Sequence, residues 1–159
     1  EDTFDELITD FQCIDVLEGH RGSVNSVCWS PDGKYIASGS SDKDIIIWNA
    51  SNGQKVRTLY EYYESVTDVA WSPDGNYLAC RYDGYYGNKN IILYNPNNGT
   101  LLDTLKGDGR TIYSLAWRPD GEYLASGDGV AGAAGRVGCG LVCGLIAGAG
   151  LGGGGRVVV

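Results

Sequence analysis

A segment of thirteen residues occurs three times in this chain of 159 residues, and no other feature of the sequence restricts the fold as strongly. Residues 27–39 read VCWSPDGKYIASG, residues 69–81 read VAWSPDGNYLACR, and residues 115–127 read LAWRPDGEYLASG, at offsets of 42 and then 46 residues. Self-similarity at such a period indicates an array of like units rather than one irregular domain. We therefore expect each repeat to fold as the same small structural unit.

Each repeat has the pattern of a β-hairpin followed by two further strands. Ser30-Pro-Asp-Gly33 suits a type I turn. Proline restricts φ at the second position, and glycine at the fourth position lets the chain leave the turn without steric strain. We predict strands on both sides of this turn, at residues 24–29 and 35–39. The β-branched run 45–48 and the turn at Asn52-Gly53 predict two more. The predicted fold class is all-β, since the long helical patterns of a parallel α/β sheet do not occur.

These residues resemble the WD-repeat (WD40) β-propeller family. The first copy carries the family's motif positions: Gly19-His20 before the first strand, Ser-Pro-Asp-Gly in the hairpin, Ser38-Gly39 at the end of the second strand, Asp42 in the next turn, and Trp48-Asn49 where the family has Trp-Asp. The resemblance covers residues 12–128, with repeats near 17–59, 59–105 and 105–128. It implies a partial propeller of two four-stranded antiparallel blades and half of a third.

The motif weakens along the chain. The second copy has Glu61-Tyr62 in place of Gly-His and Tyr94-Asn95 in place of Trp-Asp, with four extra residues in the region 82–89. A third Trp-Asp would fall near Arg136 and Val137, where no β-branched run precedes it. We therefore expect the third and fourth strands of the third blade to be missing.

The N-terminal residues differ from the repeats. Residues 1–11 form an acidic lead in which apolar residues recur at helical spacing, which fits either an amphipathic helix or a linker turn between blades. Residues 13–17 alternate like the fourth strand of a preceding blade. In the WD-repeat family, that strand commonly closes the ring by pairing with the last blade.

The C-terminal residues 129–159 hold 12 glycines among 31 residues and no aromatic residue. Glycine at this density loses much backbone entropy on ordering, so we expect a disordered low-complexity tail, which a shifted reading frame would also produce. A membrane segment is an alternative, because residues 137–155 are uncharged and Gly140, Gly144 and Gly148 repeat a G-x-x-x-G spacing. Strand-like packing of the tail against the blades is a third.

His20 is the only histidine in the chain. By resemblance to the family, it belongs to a structural hydrogen-bond relay formed by His20, Ser38, Asp42 and Trp48. A neutral imidazole donates at one nitrogen and accepts at the other, so it can join a carboxylate to a hydroxyl. The resemblance therefore implies a structural histidine, and we predict no catalytic residue.

The family also implies a binding surface at one end of the blades. Carried onto this chain by the repeat register, the candidate partner-binding residues are Ser23, Asn25, Ser41, Ser65, Thr67, Thr111 and Tyr113. Small hydroxyl groups around one tyrosine suit an extended protein segment or peptide. The predicted function is a non-enzymatic protein-interaction scaffold that is a fragment of a larger propeller. The alternatives are a regulatory or sensor segment of a multidomain signalling protein and a scaffold anchored to a membrane by the tail.

Charge and composition argue against several other classes of function and partner. The net charge of −8 repels phosphate backbones and favours a basic protein or peptide over a nucleic acid. Five irregularly spaced cysteines are expected to be reduced and buried, and with one histidine they predict neither a metal site nor a cofactor. No secretory signal is recognised at the N-terminus, so we expect an intracellular, cytoplasmic location.

The number of blades gives a final expectation. Propellers use four to eight blades, whereas about two and a half are predicted here. Sheet edges and an apolar blade face then stay uncovered, so we expect the chain to self-associate.

Overall fold

In a computed structural model, the chain folds into three sheets of four antiparallel strands each. The structure describes residues 13–60, 64–83, 90–106 and 111–129, together with the backbone of residues 143–145 and 157–158. These residues form strands, turns and extended segments. Outside them lie the acidic lead at residues 1–11 with its amphipathic pattern, Tyr62, and most of the glycine-rich tail.

The strands follow one another in chain order within each sheet. The first sheet contains β1 (Val24–Trp29), β2 (Tyr35–Ser40), β3 (Ile45–Asn49) and β4 (Lys55–Leu59). The second contains β5 (Ser65–Trp71), β6 (Leu78–Asp83), β7 (Asn90–Tyr94) and β8 (Leu101–Lys106). The third contains β9 (Thr111–Trp117), β10 (Tyr123–Gly129), β11 (Cys143–Leu145) and β12 (Val157–Val158). The predicted all-β fold of four-stranded antiparallel blades is confirmed.

The Ser-Pro-Asp-Gly hairpin forms because its side chains hold the turn as well as its backbone. The Gly33 N–H donates to the Ser30 carbonyl oxygen at 2.9 Å, and Gly33 has a φ of +71°, which favours glycine. Asp32 accepts hydrogen bonds from the Ser30 hydroxyl at 2.6 Å and from the Lys34 N–H at 3.0 Å. The second and third copies repeat the backbone bond, from Gly75 to Ser72 and from Gly121 to Arg118.

The outer strands of the third sheet differ from the sequence-based expectation. β11 pairs with β10 through Tyr123–Leu145 and Leu124–Gly144, and β12 pairs with β11. Backbone groups can pair without any side-chain pattern, so β11 (Cys-Gly-Leu) extends the sheet although no β-branched run precedes it, and β12 adds two valines. The long strands of this blade are the two predicted ones, and the two additional strands are short.

Apolar side chains fill the junctions between consecutive blades. At the first junction, Ala37 and Leu59 of the first blade pack with Val66, Val69 and Cys80 of the second, and all five are at most 4% exposed. The junction is tight at Gly39, where a Cβ atom would lie 2.4 Å from Cγ1 of Val66. The second junction contains a corresponding buried cluster from β6, β7, β9 and β10.

A tyrosine from each blade stacks on the tryptophan of the next. The rings of Tyr35 and Trp71 have centroids 6.5 Å apart and planes 13° apart. Tyr77 and Trp117 repeat this contact at 6.0 Å and 23°. At both junctions, the tyrosine of one blade therefore packs on the tryptophan of the next, whereas Trp29 of the first blade is 61% exposed.

Candidate binding face and buried relay

Four side chains of the first blade form a continuous hydrogen-bonded chain. His20 Nδ1 lies 2.9 Å from Asp42 Oδ2, and His20 Nε2 lies 2.7 Å from Ser38 Oγ. Trp48 Nε1–H donates to the same hydroxyl oxygen at 2.7 Å. The side chains of His20 and Asp42 are only 6% and 9% exposed, so water competes little for these bonds. The structure thus brings together the four residues for which the sequence predicts a relay.

The direction of the chain follows from its two ends. Trp48 can only donate and ionised Asp42 can only accept, so a neutral His20 donates from Nδ1–H to Asp42 and accepts at Nε2 from the Ser38 hydroxyl. Burial is the largest single influence on Asp42 and raises the pKa of its carboxyl. Hydrogen bonds from the Arg21 and Asp44 N–H groups and from His20 outweigh burial and lower this pKa to about 2.

The second blade has a different buried polar contact at the same place. Cys80 stands at the position of Ser38, and Tyr94 stands at the position of Trp48. The hydroxyl oxygens of Tyr94 and Tyr82 lie 3.0 Å apart, and both side chains are buried. The second blade thus has a pair of buried tyrosine hydroxyls where Trp48 of the first blade bonds to Ser38.

Three of the candidate partner-binding residues lie together at one end of the first blade. Ser41 donates its N–H to the Ser23 carbonyl at 2.9 Å, and Asn25 Nδ2 donates to Ser41 Oγ at 3.0 Å. Asn25 Nδ2 also lies 2.8 Å from the carbonyl oxygen of Val66 in the second blade. All three candidates are exposed, but Asn25 is in addition a link between two blades.

The other four candidates come from equivalent positions in the second and third blades. Ser65 and Thr111 begin β5 and β9, opposite the last residues of β6 and β10. Thr67 donates its hydroxyl to the Arg81 carbonyl at 3.3 Å. Tyr113 is 60% exposed, which makes it the largest open side chain among the candidates. These seven residues, at this end of the blades, form the candidate binding face.

Arg81 is a buried, charged residue beside Tyr113 of the candidate binding face, and it is not among the residues predicted from the sequence. Its guanidinium lies 5.8 Å from the centroid of the Tyr113 ring and 3.7 Å from an Asp83 carboxylate oxygen. Burial lowers the pKa of this guanidinium below its usual range, against the opposing influence of Asp83 and Asp68. The sequence did hold a signal, because Arg81 stands where the other two copies have Gly39 and Gly127.

The three cysteines whose side chains the structure describes are free thiols in different environments. Cys80 is buried and Cys28 is half-buried, and burial raises the pKa of the Cys28 thiol to about 11. Cys13 is exposed, so the expectation that the cysteines are buried is wrong for this residue, which precedes the first sheet and has no blade packed over it. Within the described ranges, no three histidine, cysteine or acidic residues converge as metal ligands would.

The described segments contain no helix with the length and apolar character needed to cross a membrane. Apart from the backbone of β11, the uncharged run at residues 137–155 falls outside those segments.

Comparison with known proteins matches the repeats to one family model. The model described as "WD domain, G-beta repeat" matches residues 11–49, 53–86 and 99–131, more than half of the chain. Protein Mut11 of Chlamydomonas reinhardtii is 44% identical over 48 residues, which are 30% of this chain and 13% of that protein. The guanine nucleotide-binding protein subunit beta of Zea mays is 41% identical over 51 residues, which are 32% of this chain and 13% of that protein.

Solved structures share the arrangement of the blades. A structure described as "Structure of U3-55K" superposes on 71% of this chain and 35% of its own, with a TM-score of 0.65 and 28% sequence identity. The chain thus spans about a third of the length of that propeller and smaller fractions of the curated relatives.

Proposed function

This chain belongs to the WD40-repeat family, and from that premise we propose that it is a non-enzymatic interaction scaffold that binds a protein or peptide through its binding face. WD40-repeat proteins are typically protein-interaction scaffolds. The observation that carries the proposal is the placement of six polar side chains at two equivalent positions of three stacked blades, with Ser41 bonded to two of them. A rigid sheet scaffold can then present them as one surface without reordering when a partner binds.

The expected partner is an extended segment with a basic character. The chain carries a net charge of −8, so its overall field attracts cations. Tyr113 offers an exposed aromatic ring beside small hydroxyl groups, which suits a peptide that lies across the blade ends. Arg81 supplies one local positive charge, which Asp83 partly balances at 3.7 Å. We therefore place the basic side chains of the peptide away from Arg81.

Catalysis has little support from the geometry. The only histidine uses both ring nitrogens in the relay, one with Asp42 and one with Ser38. A general base must have a lone pair free for substrate, and His20 has none while the relay is formed. We further propose a reducing, intracellular setting, in which the thiols of Cys28 and Cys80 stay reduced and, with raised pKa values, unreactive.

The experiment pans the whole chain against a displayed library of random peptides and measures the affinity of an enriched peptide by fluorescence anisotropy. Tyr113→Ala should weaken binding at least about tenfold, because an exposed aromatic anchor carries much of the affinity of such contacts. Gln54→Ala is the matched control, since Gln54 is exposed at the opposite end of the first blade. It should leave the affinity unchanged.

Two outcomes would overturn parts of the proposal. Equal loss of affinity in the Gln54 and Tyr113 variants would place the peptide elsewhere on the blades. Enrichment of acidic rather than basic peptides would refute the proposed charge preference, although the binding face itself would still be supported.

A further inference from the structure

Arg81 is a buried arginine at the junction between the second and third blades. Its side chain is only 9% exposed, yet among the described residues none accepts a hydrogen bond from its guanidinium. The carboxylate oxygen of Asp83 lies 3.7 Å from Arg81 Nη2, which is beyond hydrogen-bond distance. A buried polar group normally has a hydrogen-bond partner, because it has lost most of its water. The N–H groups of Arg81 are therefore available to a further acceptor.

Asp68 is the other carboxylate that acts on Arg81, and it is already engaged. Its two carboxylate oxygens accept hydrogen bonds from the Ser26 hydroxyl and from the Leu115 N–H, each at 2.8 Å. Burial lowers the pKa of the Arg81 guanidinium, and the opposing influence of Asp83 and Asp68 does not restore it. The described residues thus compensate the positive charge of Arg81 incompletely.

Two exposed side chains border the guanidinium at the candidate binding face. Asp83 is 61% exposed, and Tyr113, whose ring centroid lies 5.8 Å from the guanidinium carbon, is 60% exposed. An ion pair with an exposed carboxylate contributes little stability, because water screens it. Asp83 can therefore move away from Arg81 at small cost and give its place to another carboxylate.

The first junction offers no such group at the same position. Gly39 stands where the second repeat has Arg81, and a Cβ atom on Gly39 would lie 2.4 Å from Cγ1 of Val66. Asn25 at this junction is instead bonded to the Val66 carbonyl at 2.8 Å. Of the two described junctions, only the second therefore presents a cation next to the candidate binding face.

We propose that Arg81 determines specificity at the candidate binding face by binding one acidic side chain of the peptide, an aspartate or a glutamate, in the place of Asp83. This inference rests on the proposed function, in which that face binds a peptide. A planar guanidinium can donate two parallel hydrogen bonds to a planar carboxylate. The peptide is then basic along most of its length and carries one acidic residue beside Tyr113.

The charges around Arg81 favour a carboxylate over a phosphate. A phosphorylated side chain carries about two negative charges at neutral pH, whereas a carboxylate carries one. Arg81 can balance a single charge, and the second would be repelled by Asp83, by Asp68 and by the net charge of −8. The ligand that fits this position is therefore a singly charged carboxylate.

The experiment uses the whole chain and synthetic basic peptides with amidated C-termini, so that one central glutamate supplies the only carboxylate. The peptide that binds most tightly is compared by fluorescence anisotropy with versions that have glutamine or phosphoserine in place of the glutamate. Glutamine should weaken binding about tenfold, because the charge-assisted pair is lost. Phosphoserine should bind no better than glutamate.

Three variants of the chain assign this difference to Arg81. Arg81→Gln should bind the glutamate and glutamine peptides equally, as expected when the two groups interact directly. Asp83→Asn removes the competing carboxylate, so it should bind the glutamate peptide about threefold more tightly than wild type does and the glutamine peptide unchanged. Arg118→Gln is the matched control, because Arg118 is paired with Glu122 at the opposite end of the blades, and it should keep the tenfold difference.

Thermal unfolding verifies that each variant is folded, and the exposed Asp83 variant keeps the test decisive if Arg81→Gln does not fold. Equal affinity of the wild type for the glutamate and glutamine peptides, with Tyr113→Ala still weakening both, would overturn this inference and leave the proposed function standing. An unchanged affinity in Asp83→Asn, or tighter binding of phosphoserine, would also overturn it. If none of the peptides binds, both the inference and the proposed function are wrong.

Discussion

Asp68 in β5 accepts a hydrogen bond from the hydroxyl of Ser26 in β1, with 2.8 Å between the two oxygens. Its second carboxylate oxygen accepts the backbone N–H of Leu115 in β9, also at 2.8 Å. One side chain therefore joins the innermost strands of all three blades.

Asp68→Ala should lower the free energy of unfolding by about 3 kcal/mol, because it removes two hydrogen bonds to a charged acceptor and leaves the Leu115 N–H unsatisfied. Urea denaturation followed by tryptophan fluorescence measures the loss. Ser114→Ala is the matched control, since Ser114 occupies the same strand position in the third blade and is exposed. Equal losses in the two variants would show that Asp68 does not tie the blades together.

The relay of the first blade leads to a second prediction. His20→Ala leaves the Ser38 hydroxyl and the buried Asp42 carboxylate without their shared partner, so it should cost about 1–3 kcal/mol of stability. Ser41→Ala, an exposed change in the next turn, should cost far less. Thermal unfolding compares the variants, and identical midpoints for wild type and His20→Ala would mean that the relay contributes nothing.

Acid should destabilise the protein through Asp42. Its pKa in the folded chain is lowered to about 2 from the usual 3.8, so the ionised group stabilises the fold fully above about pH 4. This contribution, about 2 kcal/mol, is lost as the pH falls from 4 to 2. The stability difference between wild type and Asp42→Asn, measured by urea denaturation, should therefore shrink across that interval. A difference that stays constant with pH would contradict the assignment.

Lys43 should be a site where substitution stabilises the chain. It has a φ of +80° in the turn between β2 and β3, where its N–H donates to the Ser40 carbonyl at 3.1 Å. This conformation strains any residue with a Cβ atom, so Lys43→Gly should raise the free energy of unfolding. The net gain should be roughly 0.5–1 kcal/mol, because glycine also loses more backbone entropy on folding. Lys43→Ala removes the same charge without relieving the strain. If thermal unfolding finds the two variants equally stable, the strain is not present.

The sequence was most informative where structure is local. Turn residues such as Pro31 and Gly33 predicted the hairpin, because proline and glycine each restrict or permit particular φ values within four residues. The positions of Ser65 and Tyr113 at one blade end followed from the repeat register. Contacts between blades could not be predicted as well from the sequence. The bonds of Asp68 and the packing of Arg81 on Tyr113 join residues that are dozens of positions apart in the chain. β11 was missed because backbone pairing leaves no pattern in glycine-rich sequence.

Gly39 and Arg81 make the two blade junctions chemically unequal. At the first junction, the absence of a side chain lets Val66 approach to where a Cβ atom would be, whereas at the second a guanidinium reaches Tyr113. The repeats are therefore not interchangeable parts. An engineered array built only from second repeats would place an arginine in every junction without the Tyr113 ring, because Thr67 stands at that position. An array built only from first repeats would have Gly39 and Asn25 at these two positions and would lack both the arginine and the tyrosine. When a repeat of this chain is duplicated by design, the residues that face each other across a junction must therefore be transferred together.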